Sequence, residues 1–203
     1  IPLFILMGQL AFNSGISTKL YASAYKFFGH TRGGLAIATV SACTAFGAVC
    51  GSSAATAATM ATVGMPEMRK FGYSDALAAG SVASGGGLGM IMPPSVVLII
   101  YGILTEQSIG KLFMAGIIPA IVVTILFILT IMIWCMIRPE DGPRGEKFSW
   151  LEKLKSLSGM GETLLIFVFV IGGLFFGIFT ATEAAGVGVL GVLTVAVVRR
   201  QLT

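Results

Sequence analysis

Ser84-Gly85-Gly86-Gly87-Leu88-Gly89-Met90-Ile91-Met92-Pro93-Pro94-Ser95 lies inside a stretch, residues 76–105, that carries no Asp, Glu, Lys or Arg. A spanning helix needs about 20 predominantly apolar residues. This run is long enough, yet glycines and two adjacent prolines interrupt it. Backbone polar groups cannot be left unpaired against lipid, so such a break must be buried in protein or face a water-filled cavity. The run therefore reads as a discontinuous helix. Proline suits a helix start, where no backbone N–H is needed, so a half-helix is expected from near Pro94 through Tyr101. Its positive dipole end would favour an anion at mid-membrane, while unwound carbonyls would hold a cation. Gly87, Pro93, Pro94 and Ser95 are the expected substrate contacts, and Gly86 a Na⁺ candidate. A proline kink is the competing reading, although two prolines after three glycines exceed what one kink needs.

The rest of the composition agrees. Of 203 residues, 56% are hydrophobic and only 11% charged, with a mean hydropathy of +0.94. Soluble domains carry about a quarter charged residues, so a water-soluble globule is excluded. The 13 Lys and Arg against 9 Asp and Glu give +4, but these charges sit between apolar runs instead of covering one solvated face. A nucleic-acid partner is therefore not expected. The 27 glycines have no three-residue period, which excludes collagen, and the chain is too apolar for disorder. An integral membrane protein remains.

Residues 33–66, 112–137, 163–182 and 184–198 are also free of Asp, Glu, Lys and Arg. The runs 112–137 and 163–182 read as simple spans. Residues 33–66, rich in Ala, Ser, Thr and Gly, read as a re-entrant hairpin or two crossings. On that topology Lys19, Lys26, Arg32, Arg69, Lys70, Arg138, Arg144, Lys147, Lys153, Lys155, Arg199 and Arg200 share one face, and Lys111 stands on the other. Cytoplasmic loops concentrate Lys and Arg, so the hairpin reading is favoured. Residues 13–32 read as an interfacial amphipathic segment. Residues 138–162 read as a cytoplasmic loop, flexible at first and ending in an amphipathic helix. The whole of 1–203 reads as part of one transmembrane transport domain. The run 1–12 begins abruptly, like the end of a longer element, which makes the chain a central fragment.

Two further clusters carry oxygen chemistry. In Gly51-Ser52-Ser53-Ala54-Ala55-Thr56, a chain reversal at Gly51 would present carbonyl and hydroxyl oxygens to a small cation. The absence of carboxylates suits Na⁺ better than Ca²⁺ or Mg²⁺. Gly51, Ser52, Ser53 and Thr56 are thus Na⁺ candidates, against the alternative of small-residue helix packing. In Thr180-Ala181-Thr182-Glu183, Thr180 is a Na⁺ candidate and Thr182 and Glu183 substrate candidates. The alternative is a plain helix start, with a threonine cap and an acidic first turn. Enzymatic readings have little support: the single His30 has no partner at metal-ligand spacing, and Cys43, Cys50 and Cys135 read as reduced apolar fillers.

These segments, in this order, resemble the large membrane subunit of tripartite ATP-independent periplasmic (TRAP) transporters, the DctM-type family. The resemblance rests on Ile1-Pro2-Leu3-Phe4-Ile5-Leu6-Met7-Gly8, Gly29-His30-Thr31-Arg32-Gly33-Gly34, Gly51-Ser52-Ser53-Ala54-Ala55-Thr56-Ala57, Met65-Pro66-Glu67-Met68, Ile91-Met92-Pro93-Pro94-Ser95, Phe113-Met114-Ala115-Gly116 and Gly177-Ile178-Phe179-Thr180-Ala181-Thr182-Glu183. It implies an all-α, polytopic, elevator-type secondary transporter in a bacterial or archaeal inner membrane, with a re-entrant hairpin and discontinuous helices. Na⁺ would be the coupling ion, with no other cofactor. Substrate, a small organic anion such as a dicarboxylate, keto acid or sialic acid, would arrive on a periplasmic binding protein. A small membrane subunit would complete the complex in the lipid bilayer. Cys50 and Ala181 stand where the family usually has serine and proline. A cation channel or pore subunit is the alternative, with the glycine-rich breaks as a carbonyl filter. Three unlike breaks in one chain suit an asymmetric occluded site better.

Overall fold

The computed structural model describes residues 2–158 and 161–198, and among them the regular structure is entirely helical. In chain order the helices are α1 (Pro2–Asn13), α2 (Ile16–Phe28), α3 (Gly34–Cys50), α4 (Ser53–Lys70), α5 (Asp75–Gly87), α6 (Val96–Leu104), α7 (Ile109–Ile137), α8 (Trp150–Ser158), α9 (Gly161–Phe175) and α10 (Ala181–Val198).

Helix α3 is the centre of the molecule. Fourteen of its seventeen residues are buried, because α1, α2, α4, α5 and α7 all pack on it. Its Ala, Ser, Thr and Gly content makes this possible, since small side chains let several backbones approach one axis. Helices α3 and α4 form a tight hairpin that reverses at Gly51–Ser52, and α5 returns beside α4 after a turn at residues 71–74.

The register of this hairpin against α7 fixes its depth. The base of α3 sits by the end of α7, where a Cβ on Gly33 would lie 2.7 Å from Cys135 Sγ. Midway, Thr44 Oγ1 and Thr124 Oγ1 are 3.1 Å apart. Near the tip, a Cβ on Gly116 would lie 3.2 Å from the Ile91 carbonyl. At 1.5 Å per residue, α7 with its 29 residues is about 43 Å long and α3 about 25 Å. The hairpin therefore stops well short of the α7 start. Among the described residues, α7 is the one helix long and apolar enough to cross a membrane. Ile118 (71% exposed), Ile121, Ile125, Leu129 and Ile133 line its open side.

Several boundaries differ from the sequence expectation. The 163–182 run is not one helix: α9 ends at Phe175, and Gly177 turns the chain at φ +72°. Phe179 folds back beside Phe169, ring centroids 5.8 Å apart, so α9 and α10 form a second hairpin. The 138–149 loop is anchored instead of flexible. Gly33 N–H donates to Gly142 O (2.9 Å), Gly145 N–H to Gly29 O (2.8 Å) and Ser74 N–H to Asp141 O (3.1 Å). It lies as a strap across the hairpin base. Helix α8 follows it and docks on α2, where Ser23 Oγ donates to Ser156 O and Lys153 lies over the Phe27 ring. Helix α2 turns its apolar face to α3, with Ile16, Leu20 and Tyr21 buried. Ile16 stands near Ala48 and Val49, so Lys19, one turn on, sits nearer the tip than the base.

Candidate functional site

The hairpin tip is built by backbone conformation first. Gly51 adopts φ +61°, a left-handed conformation that costs glycine little, and its N–H donates to Gly47 O at 2.8 Å. Ser52 is extended and caps α4, its Oγ accepting the Ala55 N–H at 3.4 Å. Thr56, fully buried, donates its hydroxyl to Ser52 O at 2.8 Å. The buried Cys50 Sγ lies 3.0 Å from Thr56 Oγ1, and its thiol also points to Ser52 O at 3.6 Å. A hydroxyl that donates to a carbonyl keeps its lone pairs free to face elsewhere. The half-buried Ser53 hydroxyl makes no hydrogen bond among the described residues.

The helix break arrives at the same place. Helix α5 ends at Gly87, a 3-10 turn covers Leu88–Met90, and α6 begins at Val96. The half-helix thus starts two residues later than expected. Ser95, not Pro94, is its cap: the extended Ser95 accepts the Leu98 N–H at 3.3 Å and donates to Met90 O at 2.5 Å. A serine side chain meets an orphan donor of the first turn, which no proline can do, so both prolines stay in the turn. Pro93, Pro94 and Ser95 are all buried.

Tip and break are joined through backbone. Val96 N–H donates to Gly51 O at 3.3 Å. A Cβ on Gly51 would collide with the Pro94 carbonyl oxygen. A Cβ on Gly89 would lie 2.5 Å from Thr56 Oγ1 and 2.8 Å from Ser52 O, and one on Gly86 2.6 Å from Ala57 Cβ. Gly51, Ser52, Ser53, Thr56, Gly86, Gly87, Pro93, Pro94 and Ser95 therefore belong to one locus. The N-termini of α4 and α6 both open on it, each capped by serine, and the segments that form it carry no charge. The small gap beside it, about 10 Å³ between Val49, Pro94, Ile166 and Val170, is apolar and has no room for an anion.

Thr180, Thr182 and Glu183 stand apart. The Glu183 carboxylate accepts the Thr180 N–H and hydroxyl, both at 2.8 Å, and Glu183 N–H donates to Thr180 Oγ1 at 3.3 Å. This is a reciprocal capping box, exposed at the start of α10, whose packing partners are α1 and α9. Glu183→Gln is expected to weaken this capping box and lower the melting temperature slightly. Thermal unfolding in detergent would check this, and an unchanged melting temperature would mean that the box does not hold the start of α10.

The sequence reading passed over Gly47 and Gly89 as partners, although a Cβ on Gly47 would lie 2.7 Å from Gly89 Cα. The four-residue spacing of Gly47 and Gly51 was the available signal, since small residues one turn apart mark a close backbone approach. All three cysteines are free and buried, as expected.

The family described as tripartite ATP-independent periplasmic transporter, DctM component, matches the chain over residues 1–203. A C4-dicarboxylate TRAP transporter large permease protein of Pseudomonas aeruginosa is 40% identical over 187 residues, 92% of this chain and 43% of that protein. An ectoine TRAP large permease of Halomonas elongata is 37% identical over 94% of the chain and 44% of its own length. A sialic acid TRAP large permease of Vibrio cholerae is 36% identical over the same shares. The chain spans less than half the length of these relatives, which are transport proteins and not enzymes. With its helical hairpin and broken helix meeting at one glycine-lined locus, the chain belongs to the DctM family of TRAP transporter large permeases.

Proposed function

We propose that this chain forms the ion-binding half of a Na⁺-coupled, elevator-type importer of small organic anions in a bacterial or archaeal inner membrane. In this reading α3–α4 is a re-entrant hairpin whose tip holds Na⁺. Carbonyl oxygen from Gly51 and Gly86 and hydroxyls from Ser52, Ser53 and Thr56 replace the water shell of the ion. Gly87, Pro93, Pro94 and Ser95 form the wall that meets the substrate, where the α6 N-terminus offsets its negative charge. Thr180, Thr182 and Glu183 are left with starting α10. Substrate comes from a periplasmic binding protein, and a small membrane subunit completes the permease.

The observation that carries this reading is the junction itself, the Gly51 carbonyl bonded to the first residue of α6. One ion at the tip would then reposition the broken helix, because the two share backbone. Relatives move C4-dicarboxylates, ectoine, sialic acid and 2,3-diketo-L-gulonate by name, so the site is read as binding a small charged solute, its identity set largely by the binding protein.

The test is uptake by the complete complex in proteoliposomes, with the binding protein loaded outside and a Na⁺ gradient inward. Saturable uptake that requires both is expected. Flux without saturation or without a Na⁺ requirement would sink the proposal. Within the same assay, Ser53→Val is expected to raise the half-saturating Na⁺ concentration about tenfold, the loss of one good ligand oxygen, with assembly intact. An unchanged Na⁺ titration would remove Ser53 from the site.

A further inference from the structure

At the end of the molecule opposite the hairpin tip, a cleft of about 460 Å³ opens between the α2–α3 turn, the 138–149 strap and α7. His30 and Arg32 line it from the turn, Arg144 and Lys147 from the strap, and Met132 and Met136 from the lower part of α7. No Asp or Glu lines it, and the Arg32, Arg144 and Lys147 side chains form no ion pair among the described residues. Three cations held in one cleft without counter-charge repel one another, and the cost falls only when an anion enters. The strap's backbone bonds to Gly29 and Gly33 hold Arg144 and Lys147 opposite Arg32, so their proximity is imposed by the fold.

We propose that this cleft binds the phosphate headgroup of an anionic phospholipid, with its acyl chains lying along Met132 and Met136. The combination selects that ligand. Guanidinium groups suit phosphate through paired N–H donors, and the apolar wall belongs to the helix whose open side is otherwise Ile and Leu. A soluble phosphate would use the cations and leave the methionine wall idle. Basic pockets between helices on the cytoplasmic side take such headgroups. The inference rests on α7 crossing the bilayer, but on neither the Na⁺ site nor the transported solute.

The intact protein, purified in detergent, is titrated with phosphatidylglycerol and with phosphatidylcholine, and binding is read by native mass spectrometry. Phosphatidylglycerol is expected to bind at least tenfold more tightly. The Arg32→Gln, Arg144→Gln, Lys147→Gln triple variant should lose that preference, at about fivefold per cation. Arg32→Lys with Arg144→Lys, which keeps the charge, should retain most of it, and Arg144→Glu alone, in the exposed strap, should weaken it if the triple variant fails to fold. Equal binding of the two lipids, or a triple variant that keeps the preference, would overturn the proposal. Displacement of the lipid by millimolar glycerol 3-phosphate would also do so, by identifying a soluble-anion site. Because binding is read without transport, failure here leaves the importer reading untouched.

Discussion

Gly51→Ala should lower stability by about 2–5 kcal/mol and remove uptake. Two costs combine. At φ +61° an L side chain costs about 1–2 kcal/mol, and the new Cβ also meets the Pro94 carbonyl oxygen, which belongs to rigid backbone. Overpacking of that kind adds about 1–3 kcal/mol. The natural control is Gly72, which has φ +77° but nothing within 4 Å of its Cβ position. Gly72→Ala should therefore show the conformational cost alone and keep transport. Thermal unfolding of both variants in detergent, with uptake in proteoliposomes, separates the terms. If the two alanines cost the same, the tip and the break are not pressed together and the junction has no mechanical role.

This contrast also shows what the sequence could reveal. The uncharged runs located α3–α4, the α5–α6 break and α7, because a missing charge and a proline pair act locally and leave a local mark. Gly51 as a reversal point was visible for the same reason. That Gly51 would touch Pro94 was not visible, since the two lie 43 positions apart and the contact is made by carbonyl and amide groups that every residue carries. The same limit explains the strap. Pro-Glu-Asp-Gly-Pro-Arg-Gly at 139–145 has the composition of a mobile linker, yet its order comes from backbone bonds to Gly29, Gly33 and Ser74. Composition reports solvation, and it is silent on which carbonyl a distant amide will find. Thr180–Glu183 shows the converse: the motif was legible, and its spacing of three residues is accounted for by the capping box it forms.

Tyr73→Phe should be the most damaging single change at the base. Leu35, 1% exposed, is the second residue of α3, and its N–H is one of the orphan donors of a helix start. It finds its acceptor in the Tyr73 hydroxyl at 3.1 Å, which in turn donates to Pro143 O at 2.9 Å. One oxygen thus ties hairpin, turn and strap together. Phenylalanine keeps the ring and deletes that oxygen, leaving a buried N–H unpaired at about 1–3 kcal/mol. The comparison is Tyr25→Phe, which loses a long 3.4 Å bond from an exposed Glu146 N–H and should cost little, with the Tyr25 ring still packed on Phe148. Burial pushes the Tyr73 hydroxyl up to about 12. Its contribution is therefore fully present below pH 10, where the unfolded phenol is also neutral, and is lost as pH rises from 10 through 12. Hydrogen exchange gives the sharper readout: in Tyr73→Phe the amides of Gly33 and Gly145, whose acceptors lie across the strap, should exchange at least tenfold faster while those of α7 do not. Unchanged protection would mean that the strap holds by its own backbone bonds and that Tyr73 only fills space beneath it.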